Sequence, residues 1–174
     1  ILEDKPSIFK EKINFKSAKV GSEFRFHIDG HFYWNDKNNR QRKGWKEYAN
    51  NFVNLVIPFE KTDKNNGCLK ILPREETLNF GKNWDEITSK LKDKGPFLKE
   101  NYLFKSNENI IEMMPGDILL FDWLCIHGSD NNDSSFDRPI MYLTFNCESD
   151  GNLMNKYFSD KNSSLAQNDE KSLI

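Results

Sequence analysis

Ser22-Glu23-Phe24-Arg25-Phe26-His27-Ile28-Asp29 is the stretch on which the fold and the chemistry turn. Its polar and apolar residues alternate, the period of a strand with one face buried. On such a strand His27 and Asp29, two residues apart, point to the same face. A second imidazole, His127 of Ile126-His127-Gly128-Ser129, would complete a set of two histidines and one carboxylate. That donor set leaves open positions on a non-haem Fe(II) for oxygen and a co-substrate. Arg138 could clamp a carboxylate beside the ion, its planar fork suiting two-point contact. The chain has only 3 histidines, so two of them in these positions carry weight.

Working outward, strand signals dominate. Lys12 to Lys16 alternates, and Phe52 to Phe59 is an apolar run with Pro58 inside it, the mark of an edge or a bulge. Asp63-Lys64-Asn65-Asn66-Gly67 is a turn, and Cys68 to Leu72 then reads as a returning strand of a hairpin. Asn109 to Met114, Pro115-Gly116-Asp117 and Ile118 to Asp122 form a second strand, turn, strand unit, and Pro139 to Asn146 is the last strand. One helix is expected, Trp84 to Lys92, with Asn83 as N-cap and Glu86 at the capping-box position. The Asn35 to Lys46 segment is a charged loop, and Asn155 to Ile174 a hydrophilic tail with little to bury. Short strands with Gly, Pro and Asn turns predict a mainly β fold, a barrel or jelly roll with a few peripheral helices. The expected division is a β domain over 1–154 and a polar tail over 155–174.

The bulk numbers narrow the function. A chain of 174 residues with 37% hydrophobic and 13% aromatic content builds one core. A net charge of -2 gives no case for binding nucleic acid or a membrane surface, and no apolar run approaches a bilayer span. Three cysteines, Cys68, Cys125 and Cys147, are odd in number and widely spaced, which argues against a disulfide framework and fits a reducing, cytoplasmic setting.

Each site residue has a plainer reading. His127 could be a hydrogen-bonded histidine on a barrel rim, and Arg138 a surface partner of Asp137 or Asp133. His31 could be a further ligand, a substrate contact or an ordinary polar residue; it shares the face of Asp29 only if the strand continues past Gly30. Arg25 shares the strand face of His27, where it could be a cationic contact for a substrate or equally pair with Glu23. Trp45, with Trp34 and Tyr48, either folds down as a lid over a substrate or anchors the loop to the core. Two histidines and a carboxylate also describe hydrolytic zinc sites, but a helix-borne His-Glu-x-x-His is absent and Arg138 has no role there. A silent β-barrel that binds a ligand is the rival from outside enzymology.

Several ordered blocks resemble the phytanoyl-CoA dioxygenase family of Fe(II)/2-oxoglutarate oxygenases. They are Lys12-Ile-Asn-Phe-Lys16 with Gly21, Phe26-His-Ile-Asp29, Gly44-Trp-Lys-Glu-Tyr48 and Asp63-Lys-Asn-Asn-Gly-Cys-Leu69 with Leu72-Pro73. Pro115-Gly-Asp-Ile-Leu-Leu-Phe-Asp122, Ile126-His-Gly-Ser129, Asn132, the step of eleven from His127 to Arg138, Tyr142-Leu-Thr-Phe-Asn146 and Tyr157-Phe-Ser-Asp-Lys161 follow. The resemblance implies a double-stranded β-helix (jelly roll, cupin-like) with His27, Asp29 and His127 as iron ligands. It implies Arg138 as partner of the 2-oxoglutarate C5 carboxylate, Ser129 nearby, and Lys16 and Asn14 in the co-substrate or substrate pocket. The implied cofactors are Fe(II), 2-oxoglutarate and O2, with ascorbate as a helpful reductant. The implied reaction is hydroxylation of a small polar molecule, with decarboxylation of 2-oxoglutarate to succinate and CO2.

Related halogenases replace the carboxylate ligand with a small residue, so Asp29 speaks for hydroxylation. The first, third and closing blocks look most like the bacterial branch that includes 2-aminoethylphosphonate dioxygenases, and a phosphonate would want a cationic contact such as Arg25. Leu72-Pro73-Arg74-Glu75-Glu76 departs from the family's usual Pro-Gly-Ser-His. Only 26 residues precede His27, so the chain is expected to lack part of the family's N-terminal helical region.

Overall fold

The computed structural model describes residues 2, 4–32, 34–35, 38, 40–42, 44–81, 84–91, 94–103 and 107–165. Its strands are β1 (Pro6–Lys16), β2 (Phe24–His27), β3 (Trp34–Asn35), β4 (Gln41–Arg42), β5 (Phe52–Pro58), β6 (Leu69–Ile71), β7 (Thr88–Leu91), β8 (Lys94–Leu98), β9 (Asn109–Ile111), β10 (Leu119–Asp122), β11 (His127–Ser129) and β12 (Arg138–Cys147). Its helices are α1 (Arg74–Gly81), α2 (Trp84–Ile87), α3 (Glu100–Leu103) and α4 (Met154–Leu165).

Two four-stranded sheets carry the architecture, in the orders β1-β12-β5-β10 and β2-β11-β6-β9, with every pairing antiparallel. Apart from β6 and β9, which pair with each other, successive strands of these sheets alternate between them, which is the double-stranded β-helix, or jelly roll. This corrects the expected hairpin and shows where the second strand, turn, strand unit leads. β5 and β6 lie in different sheets, as do β9 and β10. The first turn is a 3-10 segment, Lys64–Asn66, capped reciprocally by Asp63 and closed by Gly67 at φ 71, and it carries the chain across rather than back. The two sheets share an apolar layer, with Val56, Phe121 and Ile140 from one meeting Leu69 and Met113 from the other side.

β1 inverts the usual polarity. A register shift between Ile8 and Lys10 leaves Phe9 fully buried against Trp45, Phe52 and Tyr157. Beyond it Ile13 and Phe15 are 56% and 58% exposed, while Lys16 is buried and Lys10, Lys12 and Asn14 are half-buried. The lysines therefore turn inward. Their register partners on β12 are Thr144 for Lys10, Tyr142 for Lys12, Ile140 for Asn14 and Arg138 for Lys16. Directly opposed residues share a face, so one interior row after another is fixed by pairing alone.

Three further expectations change. The helix predicted over Trp84 to Lys92 ends at Ile87, and β7 begins at Thr88, where Ile87 is buried among Phe26, Leu72 and Leu98; Asn83 and Lys92 lie outside the described residues. The expected polar tail falls largely in α4, which seats Tyr157 on Phe9 with Phe158 packed against the same cluster; residues 166–174 lie outside the described residues. Pro58 ends β5, past the last β10 partner at Val56, so its missing N–H costs no ladder bond on that side. None of the described helices is long and apolar enough to cross a membrane. All three cysteines are free, and burial pushes the Cys68 thiol up.

Candidate metal centre

Sheet register brings the two histidines together. His27 on β2 and His127 on β11 are direct partners across the ladder, with ring centroids 4.3 Å apart. Each is oriented by the same local device. Nδ1 of His27 lies 2.8 Å from the Arg25 carbonyl and Nδ1 of His127 lies 3.0 Å from the Cys125 carbonyl. A carbonyl only accepts, so each Nδ1 holds the proton and each Nε2 keeps its lone pair for a metal.

β2 ends at His27, and Asp29 opens a 3-10 turn, Asp29–His31. The carboxylate is thus delivered by a turn rather than by strand alternation. Its Oδ1 lies 3.5 Å from Nε2 of His27 and its Oδ2 lies 3.6 Å from Nε2 of His127. The three ligand atoms fall within 4.8 Å of one another, a spacing that first-row ions with bonds of about 2 Å draw together. Gly30 makes this turn possible: a Cβ there would sit 2.2 Å from the Trp123 ring. Gly30→Ala should push the turn off the indole and weaken metal affinity about tenfold or more, read by metal titration, with second-sphere changes of this kind costing roughly 10–100-fold.

Asn54, fully buried in β5, donates from Nδ2 to Asp29 Oδ2 at 3.2 Å and accepts at Oδ1 from the Thr144 hydroxyl at 2.8 Å. The relay ties the carboxylate to the opposite sheet. Asn54→Ala should lower metal affinity by roughly 10–100-fold while Asp29 itself is intact, again by metal titration.

The charges are set for a cation. Burial alone would raise the Asp29 carboxyl, but His127 and then His27 outweigh it and hold it well below the usual carboxylate range. Burial, then the neighbouring His27, lowers His127 to about 4, against the pull of Asp29. The site therefore presents a carboxylate and a neutral His127 imidazole at pH 7.

Arg138 begins β12 and is 1% exposed. Nη2 donates to Asn14 Oδ1 at 2.8 Å, while Nε and Nη1 are buried with no partner. Such donors call for an anion. Tyr142, whose phenol burial pushes up, stands on β12 two residues before Thr144 and four after Arg138, opposite Lys12. Lys16 is opposite Arg138, and its ammonium donates to the Asp130 carbonyl.

The other sequence candidates are placed as follows. Ser129 ends β11, half-buried, paired with Phe24 and Leu69. A register shift between His127 and Ser129 sets Phe24 and His27 on one face, with ring centroids 4.5 Å apart. That extra residue corrects the face assigned to Arg25, which pairs with Glu100 at 3.4 Å. The β-strand does not continue past Gly30, so His31 closes the turn, its N–H donating to the Ile28 carbonyl at 3.1 Å. Trp45 is 4% exposed in the Phe9 cluster and anchors its loop rather than covering the site as a lid. Sequence reasoning missed Asn54, Thr144, Tyr142, Lys10 and Lys12. A lone polar residue within Phe52-Val-Asn-Leu-Val-Ile was the available signal for Asn54.

The phytanoyl-CoA dioxygenase (PhyH) family model matches residues 3–140, which include the three ligand candidates and Arg138. A methylphosphonate hydroxylase of Gimesia maris is 28% identical over 165 residues, covering 93% of this chain and 54% of that protein. A 2-aminoethylphosphonate dioxygenase of an uncultured bacterium is 29% identical over 154 residues, covering 88% of this chain and 51% of that protein. The chain thus spans about half the length of these curated relatives. Among solved structures, EctD from S. alaskensis with 2-oxoglutarate and 5-hydroxyectoine superposes at TM-score 0.58 and 20% identity, over 84% of this chain and 46% of that one. HygX from Streptomyces hygroscopicus with nickel, 2-oxoglutarate and hygromycin B does so at TM-score 0.54 and 12% identity, over 84% and 58%. These likenesses carry the fold, and the family match carries the rest: this chain belongs to the phytanoyl-CoA dioxygenase (PhyH) family.

Proposed function

We propose that the protein is an Fe(II)/2-oxoglutarate-dependent hydroxylase of a small phosphonate. The observation that carries the reading is the convergence of His27, Asp29 and His127 beside a buried Arg138 with two unpartnered donors. The donor set fits Fe(II), with two imidazoles and one carboxylate leaving positions open. The orphaned Nε and Nη1 of Arg138 fit the C5 carboxylate of 2-oxoglutarate, with Asn14 holding the guanidinium in place and Lys16 adding a second cation. When bound, the metal and co-substrate supply oxygen chemistry: O2 is consumed, 2-oxoglutarate becomes succinate and CO2, and one oxygen atom enters a substrate C–H bond.

The chain's own residues do the rest. His27 and His127 stay aimed through their Nδ1 bonds, and burial keeps His127 neutral. Asn54 fixes the carboxylate plane. Phe24, Phe32 and Phe121 pack around the imidazoles at centroid distances of 4.5, 5.0 and 4.9 Å, keeping bulk water from the ligand side. The names of the two relatives support a phosphonate substrate, and a cytoplasmic location and a helpful role for ascorbate belong to the same reading.

Lys16 gives the reading a pH signature. Burial, then the Arg138 charge, lowers its ammonium to about 8 from an ordinary 10.5. The fold therefore favours the neutral amine, and the ammonium is lost as pH rises through about 8. An anion bound beside it favours the charged form. Affinity for 2-oxoglutarate should accordingly fall as pH rises from 7 through 9, and Lys16→Met should flatten that dependence in a calorimetric titration.

The direct test supplies the full-length protein with Fe(II), 2-oxoglutarate, O2 and either methylphosphonate or 2-aminoethylphosphonate. Succinate and hydroxylated phosphonate in equal amounts are expected. Zinc-supported, oxygen-independent turnover would replace the reading with a hydrolase, and ligand binding with no turnover under any metal would replace it with a silent barrel.

A further inference from the structure

We propose that Lys10 and Lys12 form the anion-binding half of the substrate pocket, holding the doubly charged tetrahedral head group of a small phosphonate beside the metal ligands. The assignment rests on the oxygenase reading above and adds the residues that would select its substrate class.

The geometry starts with register. Lys10 lies opposite Thr144, which lies opposite Asn54, the residue bonded to Asp29. Lys12 lies opposite Tyr142 in the next interior row. Both lysines therefore project from the inward face of β1 at the level of the metal ligands. Side-chain contacts place the ammonium groups on two sides of that level. Lys10 Nζ sits 5.1 Å from the Trp45 ring centroid, and Lys12 Nζ 5.9 Å from that of Phe24, the ring that packs on His27. Apart from these ring faces, neither ammonium has a hydrogen-bond or ion-pair partner among the described residues.

Two half-buried ammonium groups two residues apart on one strand face repel one another. Burial, then the Lys10 charge, pushes Lys12 down to about 8, and the carboxylate that pulls the other way is Asp29. Asp29 is the ligand that a divalent cation would neutralise, so loading the metal leaves the lysine pair with less compensation. Arg138 and Lys16 face each other in a single row, beyond that of Asn14 and Ile140, and in the oxygenase reading hold a different anion.

The two cationic pairs differ in kind. A planar guanidinium fork matches a planar carboxylate, whereas ammonium groups are point charges on flexible stems that adapt to three oxygens around phosphorus. Trp45 then serves as a floor under Lys10, which explains a buried indole next to the pocket without direct substrate contact.

The test is calorimetric titration of methylphosphonate into full-length protein loaded anaerobically with Fe(II) and 2-oxoglutarate, so that no turnover occurs. Lys12→Gln and Lys10→Gln should each weaken methylphosphonate tenfold or more. Both should leave the 2-oxoglutarate dissociation constant within twofold of wild type, and Lys12→Arg, which keeps the charge, should lose less affinity than Lys12→Gln. Lys12→Met carries the same expectation should the glutamine disturb folding. Methylphosphonate affinity within twofold of wild type in both folded glutamine variants would overturn the assignment, as would acetate binding as tightly as methylphosphonate. Failure of the wild-type protein to bind 2-oxoglutarate would instead overturn the oxygenase reading beneath it.

Discussion

Arg138→Ala is expected to raise the 2-oxoglutarate concentration needed for half-saturation about a hundredfold or more. Truncating one partner of a buried, hydrogen-bonded charge pair costs roughly 2–5 kcal/mol, and 1.4 kcal/mol is tenfold. The guanidinium is 1% exposed and two of its nitrogens have no protein partner, so its bonding capacity is held for a ligand. A purely structural arginine predicts the reverse pattern, with stability lost and co-substrate binding kept. Arg138→Met separates the two. It keeps bulk, removes a buried charge that Asn14 and the Tyr142 phenol only partly satisfy, and should leave the melting temperature of the co-substrate-free protein unchanged or higher. It should still abolish tight 2-oxoglutarate binding. A melting temperature lowered by many degrees, with the 2-oxoglutarate requirement unchanged, would remove Arg138 from the role.

His127→Ala is the second large effect. In the proposed reading the imidazole supplies one of three donors to the metal, and its partner across the ladder, His27, cannot replace it. Loss of high-affinity Fe(II) binding is expected, with succinate production falling to background. The fold should survive. His127 leaves one bond to the Cys125 carbonyl behind, and burial already disfavours its charged form, so the metal-free variant loses no ion pair. A folded His127→Ala protein with wild-type iron affinity would show that the cluster is not the binding site.

Much of this was legible in the residues because the signals were local. The strand that ends at His27, the turn residues at 63–67 and 115–117, and the His-x-Asp pair are each legible from period, turn chemistry or spacing. The approach of His27 to His127 was not. Their register joins positions a hundred residues apart, and only sheet pairing creates it. Resemblance to a family supplied the link that spacing cannot.

Where local reading failed, tertiary context reversed it. Lys10, Lys12 and Lys16 alternate with Ile13 and Phe15 in a way that places lysines in solvent, yet the sheet turns the lysines inward and the apolar residues out. A strand lining a polar cavity has the same period as one lining a core with its faces exchanged, so period alone cannot orient it. Thr88 to Leu91 fall inside the helix expected from the capping signals at Asn83 and Glu86 but form a strand, where β7 pairs with β8 beside the buried Ile87 and Leu98. Arg25 was misplaced by one residue of bulge. The expected hairpin failed because the turn at 63–67, which looks like a reversal, is a crossing between sheets.

One measurement bears on the centre of the account: the visible absorption of the full-length protein as Fe(II) and then 2-oxoglutarate are added without oxygen. The account predicts a weak metal-to-ligand charge-transfer band that needs both additions, is lost in His127→Ala, and requires far more 2-oxoglutarate in Arg138→Ala. Absence of the band in folded wild-type protein, or a band indifferent to His127, would contradict it.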